Sequence, residues 1–249
     1  MKKRKVIMKD LPSDNQAQSA YTESSIKLQG DYTLVRTYKI NKISVVIPTY
    51  KDKVDQAHIT ELFSKLGYVT QVIISRDDPH IGKGNAILQG LKLVKEDYVV
   101  IMDADLQIDP CDIDTFFNIM ELYDADVVVG NKYHIYSNIE YPFIRKIISN
   151  GYRFLVKIFF DLPLRDTQCG FKLFRRSVIT KIMPILKETR YCLDLEMLIV
   201  LRKKGIRVAD APVYVKKQEN AGSISINNIL ITFFDTIRVW IKMLRRKYD

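Results

Sequence analysis

Three pairs of aspartates repeat the spacing Asp-x-Asp: Asp103 and Asp105, Asp112 and Asp114, and Asp124 and Asp126. Two carboxylates one residue apart in an extended segment project to the same side and can share a hard divalent cation, Mg²⁺ or Mn²⁺. A cation held by so few protein ligands can take its remaining oxygens from a diphosphate and neutralise charge on a departing nucleotide. The spacing alone is weak, so position must discriminate. Only Asp103-Ala104-Asp105 directly follows an apolar run, Tyr98-Val99-Val100-Ile101-Met102. In open α/β sheets, ligands bind outside the carboxyl ends of the strands. The other two pairs fall in a helical pattern and at a helix–strand turn, which reads as solvated surface acids. A bare pair at a strand end has its own bland alternative, the capping of a turn.

The elements that must position that pair alternate along the chain. Ile43-Ser44-Val45-Val46-Ile47-Pro48, Gln71-Val72-Ile73-Ile74-Ser75, the run ending at Met102, and Asp126-Val127-Val128-Val129-Gly130 read as buried strands. Helical spacing over 55–66, from Gly82-Lys83-Gly84 to about 94, and over 110–122 separates them. Strands alternating with helices imply βαβ units and a mainly parallel sheet, an α/β fold. Beyond Gly130 the spacing predicts helices over 142–160, 193–204 and 224–246, with a strand over 167–174. The helices over 142–160 and 224–246 are basic and amphipathic. Residues 1–41 are polar; 1 to about 30 lack periodicity and read as a disordered or loosely docked arm, with a strand over 32–40. The expected organisation is that extension followed by one domain over 42–249.

At 249 residues and 47% hydrophobic the chain can bury a substantial core. A net charge of +10 and a pI near 9.3 favour anionic partners: nucleic acid, an anionic membrane surface or phosphorylated substrates. Cys111, Cys169 and Cys192 lack any metal-ligand spacing and read as free thiols in a reducing compartment, while His58, His80 and His134 are isolated. No run reaches the ~18 apolar residues of a spanning helix. The expectation is a cytoplasmic protein, peripheral on the cytoplasmic face of a membrane.

Four stretches occur in order: Val46-Ile47-Pro48-Thr49-Tyr50, Gly82-Lys83-Gly84-Asn85-Ala86, Asp103-Ala104-Asp105-Leu106-Gln107, and Asp166-Thr167-Gln168-Cys169-Gly170-Phe171-Lys172-Leu173-Phe174. Tyr141-Pro142-Phe143-Ile144-Arg145-Lys146-Ile147-Ile148-Ser149 adds a fifth. Together they resemble the family 2 glycosyltransferases of GT-A fold, in particular the dolichyl-phosphate mannose synthases and dolichyl-phosphate glucosyltransferases, over roughly residues 43–245. The resemblance implies a Rossmann-like, mixed but mainly parallel sheet flanked by helices. It implies that Pro48, Tyr50 and Asp52 touch the nucleotide, and that Asp103, Ala104, Asp105 and Gln107 surround the diphosphate, sugar and metal. Asp103 and Asp105 would be the metal ligands. Lys132, Arg145 and Ser149 would hold the acceptor phosphate, with Asp105, Arg145 and Lys132 carrying catalysis. Arg145 and Ser149, four residues apart, would share one helix face.

Several departures accompany the resemblance. Relatives carry Glu at the position of Asp52 and Arg at that of Lys132. The stretch from Pro48 to Gly82 is short by about one βα unit. Relatives read the base with an acidic segment after the second strand; here Asp77 or Asp78 stands in, or this is an ordinary solvated turn. A family lysine near the end is Ile224 here, which leaves Lys217 as a candidate over the diphosphate. Segment 170–174 resembles the glucosyl branch and the helix at Arg145 the mannosyl branch.

The implied reaction is inverting transfer of a hexose from UDP-glucose or GDP-mannose to a polyprenyl (dolichyl) phosphate, with the amphipathic helices at the membrane surface. An anionic phosphate acceptor needs no strong general base, which leaves Asp194 and Glu196 ambiguous: a hydroxyl acceptor, on a glycan or protein, would want a carboxylate there. A basic nucleic-acid-binding protein is the reading from another class. It lacks any recognised motif, so no nucleic-acid partner is expected.

Overall fold

The computed structural model describes residues 21–27, 33–39, 42–49, 55–77, 81–137, 143–160, 162, 164–215, 226–245 and 248; over 21–27, 33–39, 143–147 and 226–229 the description is of the backbone. The chain divides into two units at Ile40 and Asn41. In the first, β1 (Tyr21–Lys27) and β2 (Thr33–Lys39) pair antiparallel. The strand over 32–40 is present. A second strand lies in the stretch expected to be unstructured, because β2 supplies the pairing that its polar sequence does not advertise.

In the second unit the elements run β3 (Ile43–Thr49), α1 (Gln56–Ser64), β4 (Val69–Arg76), α2 (Lys83–Leu91), β5 (Tyr98–Ile101), α3 (Asp112–Leu122), β6 (Val127–Asn131), α4 (Phe143–Phe160), β7 (Lys172–Arg175), α5 (Arg176–Ile182), α6 (Leu193–Lys203), β8 (Val208–Pro212) and α7 (Ile226–Leu244). Six strands form one sheet in the order β4-β3-β5-β7-β6-β8. All its pairings are parallel except those of β7, which runs antiparallel to both β5 and β6. Strands β3, β5 and β6 are buried along their whole length, as their unbroken apolar runs require.

The inverted strand matters most for function. Since β7 runs against its neighbours, its first residue, Lys172, pairs with Ile101 at the carboxyl end of β5 and with Val129 near that of β6. The loop entering β7 is thereby delivered to the edge of the sheet where Asp103 and Lys132 emerge. The strand is shorter than the 167–174 expected from sequence. Residues 166–168 instead form a turn in which Asp166 Oδ1 accepts the Gln168 N–H at 3.0 Å.

Helix α6 is buried at every position from Leu193 to Leu201, Asp194 and Glu196 included. Its apolar residues join those of β3, β5, β6 and α5 in a single core. Helices α4 and α7 meet through the stacked rings of Phe159 and Trp240, 4.9 Å apart, and through the hydroxyls of Tyr152 and Thr236. Both keep large apolar side chains in solvent, Phe154 and Ile158 on α4 and Leu230, Phe234 and Leu244 on α7. Among the described residues no helix is long and apolar enough to cross a membrane.

Candidate active site

Directly after β5 the chain leaves the sheet at Asp103 and turns. Leu106 N–H donates to the Asp103 carbonyl at 3.2 Å, and Leu106 adopts φ +48°. A leucine in the left-handed region is costly and marks a backbone held by its surroundings. The turn places Asp105 outward, where Gln107 grips its carboxylate through the backbone N–H (3.3 Å) and the side-chain amide (2.8 Å).

Three segments converge on this turn. From α2, Lys83 Nζ lies 2.6 Å from Asp103 Oδ1. From the loop entering β7, Gly170 lies against the same carboxylate; a Cβ there would sit 2.0 Å from Asp103 Oδ2, so only glycine leaves room for it. From the end of β6, Lys132 is held by Asp166, whose Oδ2 accepts the Lys132 backbone N–H at 3.1 Å and stands 3.8 Å from its Nζ. Asp103, Asp105, Gln107, Lys132 and Gly170 line one pocket.

The start of α2 is built to present Lys83. Buried Asp77 closes the loop before the helix, accepting the Gly82 N–H at 2.6 Å and the Asn85 side-chain amide at 3.1 Å. The Asn85 backbone N–H donates to Thr189 O at 2.7 Å. Gly84 lies so close to that segment that a Cβ would meet Arg190 O at 2.6 Å. Lys83, Gly84 and Asn85 therefore each have a physical reason to be what they are.

The electrostatics separate the two aspartates. Burial alone would push Asp103 up, but Lys83, then Lys172 and Lys132, hold it below the usual carboxylate range. Burial and the charge of Asp103 push Asp105 up, partly offset by the Gln107 N–H, Lys83 and Lys132. Burial would lower Lys83, yet Asp103, Asp194 and Asp105 raise it above the usual lysine range. Lys83 thus meets the buried Asp103 Oδ1 as a close ion pair. Two hard carboxylates one residue apart, both lining one pocket, fit a divalent cation. Among the described residues no group of three or more acidic, histidine or cysteine side chains could hold a metal ion.

Behind the pocket Asp194, ambiguous from sequence, is paired with a lysine. Lys172, with no exposed surface, donates to the Cys169 carbonyl and to Asp194. Glu196, one helical turn-half further along α6, is equally buried, and its carboxylate accepts the backbone N–H groups of Lys187 and Glu188 and the Tyr248 hydroxyl. Neither acid lines the pocket. The other Asp-x-Asp pairs do structural work. Asp114 accepts the Tyr68 hydroxyl at 2.8 Å, while Asp124 and Asp126 bind Arg207 beside β8.

Of the remaining residues named from sequence, Pro48 is buried near the carboxyl end of β3, Ala104 sits within the turn, and Ser149 is half-buried on α4. Asp77 holds the α2 loop and does not line the pocket. Tyr50, Asp52, Asp78 and Lys217 lie outside the described residues, and Arg145 is described only as backbone of α4. Lys83, Gly170, Lys172 and Asp166 were present in the quoted motifs without assigned roles. Their common signal was a glycine or charge beside a strand or helix end.

Residues 59–183 match the sequence profile of glycosyl transferase family 2, half of the chain. The chain belongs to that family. It is 30% identical over 162 residues to the dolichyl-phosphate beta-glucosyltransferase of Saccharomyces cerevisiae, an overlap of 60% of this chain and 48% of that one. A dolichyl-phosphate beta-glucosyltransferase of Trichomonas vaginalis is 27% identical over 218 residues, 84% of this chain and 65% of that one. The chain thus spans less than two thirds of the length of either relative. A crystal structure of glucosyl-3-phosphoglycerate synthase from Mycobacterium tuberculosis, in complex with Mn²⁺ and UDP-glucose, superposes with a TM-score of 0.60 at 14% identity, over 81% of this chain and 78% of that one. At that identity the likeness shows the fold alone, the GT-A arrangement of a mostly parallel six-stranded sheet flanked by helices.

Proposed function

We propose that this family 2 member transfers glucose from UDP-glucose to a polyprenyl (dolichyl) phosphate, and that Asp103 and Asp105 would hold Mg²⁺ or Mn²⁺. The observation that carries the reading is the contrast inside the site. The pocket offers two carboxylates and Lys132, with Lys83 paired to Asp103, while both acids of α6 are engaged elsewhere, Asp194 by Lys172 and Glu196 by two backbone N–H groups and Tyr248. A hydroxyl acceptor needs a base to take its proton. A phosphate acceptor arrives anionic and needs none. The names of the curated relatives favour glucose, so the mannosyl donor is set aside.

In the reaction an acceptor phosphate oxygen forms a bond to the anomeric carbon as the bond from that carbon to the diphosphate oxygen breaks, inverting the centre. The electron pair leaves with the nucleoside diphosphate, and no proton has to move. A bound divalent cation would supply neutralisation of the diphosphate charge. The chain's own residues do the rest. Asp166 holds Lys132 toward the pocket, where its ammonium attracts the incoming phosphate. Lys83 stands beside Asp103, within reach of a diphosphate lodged there, and Gly170 keeps the carboxylate in place. Arg145 and Ser149 on α4 complete the acceptor site, and Pro48, Tyr50, Asp52, Asp78 and Lys217 serve the nucleotide. The apolar side chains that α4 and α7 leave exposed, with Lys157 and Arg245, suit the interface of a cytoplasmic membrane face, where the lipid head lies.

A panel of labelled UDP- and GDP-sugars, incubated with a short polyprenyl phosphate and Mn²⁺, tests the reading. Label from UDP-glucose should enter the lipid phase, and only with metal. Transfer from GDP-mannose instead would overturn the donor assignment, and no transfer from any sugar would overturn the lipid acceptor.

A further inference from the structure

Residues 187–190 lie between α2 and the far side of the molecule, and they are held from both directions. Toward the pocket, Thr189 O accepts the Asn85 backbone N–H at 2.7 Å, and Gly84 lies directly on Thr189 and Arg190. Away from it, Glu196 Oε2 accepts the N–H groups of Lys187 and Glu188 at 2.8 and 2.7 Å. Its Oε1 accepts the hydroxyl of Tyr248 at 2.9 Å, a side chain with no exposed surface. The carboxylate of Glu188 in turn pairs with Arg238 Nη2 and Lys242 Nζ on α7, each at 2.6 Å. Glu188, Glu196 and Tyr248 are all buried, and none lines the pocket.

Placing two carboxylates in the core is costly, and it is tolerated only where their oxygens are fully satisfied. Here they fasten one short segment, which then fixes the first turn of the helix that carries Lys83. An apolar core would stabilise the fold as well, but it would not set the position of a carbonyl that accepts from Asn85.

We propose that Glu188, Glu196 and Tyr248 are positioning residues of the donor pocket: they fix residues 187–190 and so hold the first turn of α2, with Lys83, against Asp103. The inference rests on the reading of that pocket as the nucleotide-sugar site. It also gives Glu196 a role other than general base.

The test uses the full chain with Tyr248→Phe, Glu196→Gln and Glu196→Ala, read in two ways: amide exchange at Asn85 and calorimetric binding of UDP with Mn²⁺. Tyr248→Phe keeps the ring and loses one hydrogen bond to a charged group, so Asn85 exchange should quicken and UDP bind more weakly, each by about tenfold. Exchange in β3 and β5 should stay unchanged. Glu196→Gln, which still accepts hydrogen bonds, should lie between the native protein and Glu196→Ala. Unchanged Asn85 exchange in Tyr248→Phe would overturn the proposal, as would equal quickening throughout the sheet. Should the native protein bind no UDP, the nucleotide-sugar reading fails, and the exchange result still decides this one.

Discussion

The molecule holds two groups of carboxylates paired with lysines, and their settings are opposite. Asp103 and Asp105 stand at the carboxyl end of β5 and line a pocket, one lowered by Lys83 and one raised by burial and its neighbour's charge. Asp194, Glu196 and Glu188 are buried and have their oxygens engaged by Lys172, by backbone N–H groups, and by Arg238 and Lys242. The residue types are the same. What differs is whether they face the pocket or the core, and that difference separates the proposed site from the proposed framework behind it.

The sharpest way to break this comparison is at Lys172. Lys172→Met leaves Asp194 buried and unpaired, which should cost about 3–5 kcal/mol. Thermal unfolding should fall by roughly 10 °C for a chain of this size. Adding Asp194→Leu should restore much of the loss. An unchanged midpoint in the single variant would mean that Asp194 is not part of the framework.

Asp105→Ala should do the reverse. The side chain is outward, so the unfolding midpoint should move by no more than about 2 °C. Turnover should fall by a factor on the order of 10²–10³, the scale of removing one electrostatic stabiliser of developing charge. A large fall in midpoint with turnover intact would exchange the roles of the two groups.

Gly170→Ala touches no reacting group, yet its methyl would occupy the space of the Asp103 carboxylate. Displacement of about 1 Å can cost some 10² in rate. Steady-state kinetics should show that loss together with weaker Mn²⁺-dependent UDP binding. Normal kinetics would mean that the position of Asp103 is not critical.

The smallest effect concerns pH. Burial would raise Glu188, but Arg238 and Lys242 hold it below its ordinary value of 4.5. A carboxylate lowered by folding contributes stability that is fully present above 4.5 and is lost as pH falls through the lowered folded value. Glu188→Gln should therefore flatten the dependence of stability on pH in that acidic window, measured by urea unfolding at a series of pH values. An identical slope in both proteins would remove Glu188 from the framework.

These contrasts also mark what sequence could reveal. Strands β3, β5 and β6 were legible because parallel strands buried on both faces are written as unbroken apolar runs. Strand β8, Val208-Ala209-Asp210-Ala211-Pro212, has no such run and is only half-buried; its pairing with β6 defines it. Helix α5 has seven residues, too few for a period to show. At the site, Asp103 and Asp105 were legible because their spacing and strand-end position coincide within a few residues. Lys83, Gly170 and Lys172 appeared in the motifs, but their partners are distant in sequence. Only the antiparallel insertion of β7 shows that Gly170 meets Asp103 and that Lys172 meets Asp194. Glu196 was ambiguous because a buried acid bound to backbone looks, in sequence, like a catalytic one.

The most direct test of the central claim compares two acceptors that differ by one group. The full chain, with Mn²⁺ and labelled UDP-glucose, should glucosylate a short polyprenyl phosphate and leave the matching polyprenol untouched across the neutral pH range. Comparable transfer to the free alcohol would contradict the account, since it would require a base that Asp194 and Glu196, as bound here, do not provide.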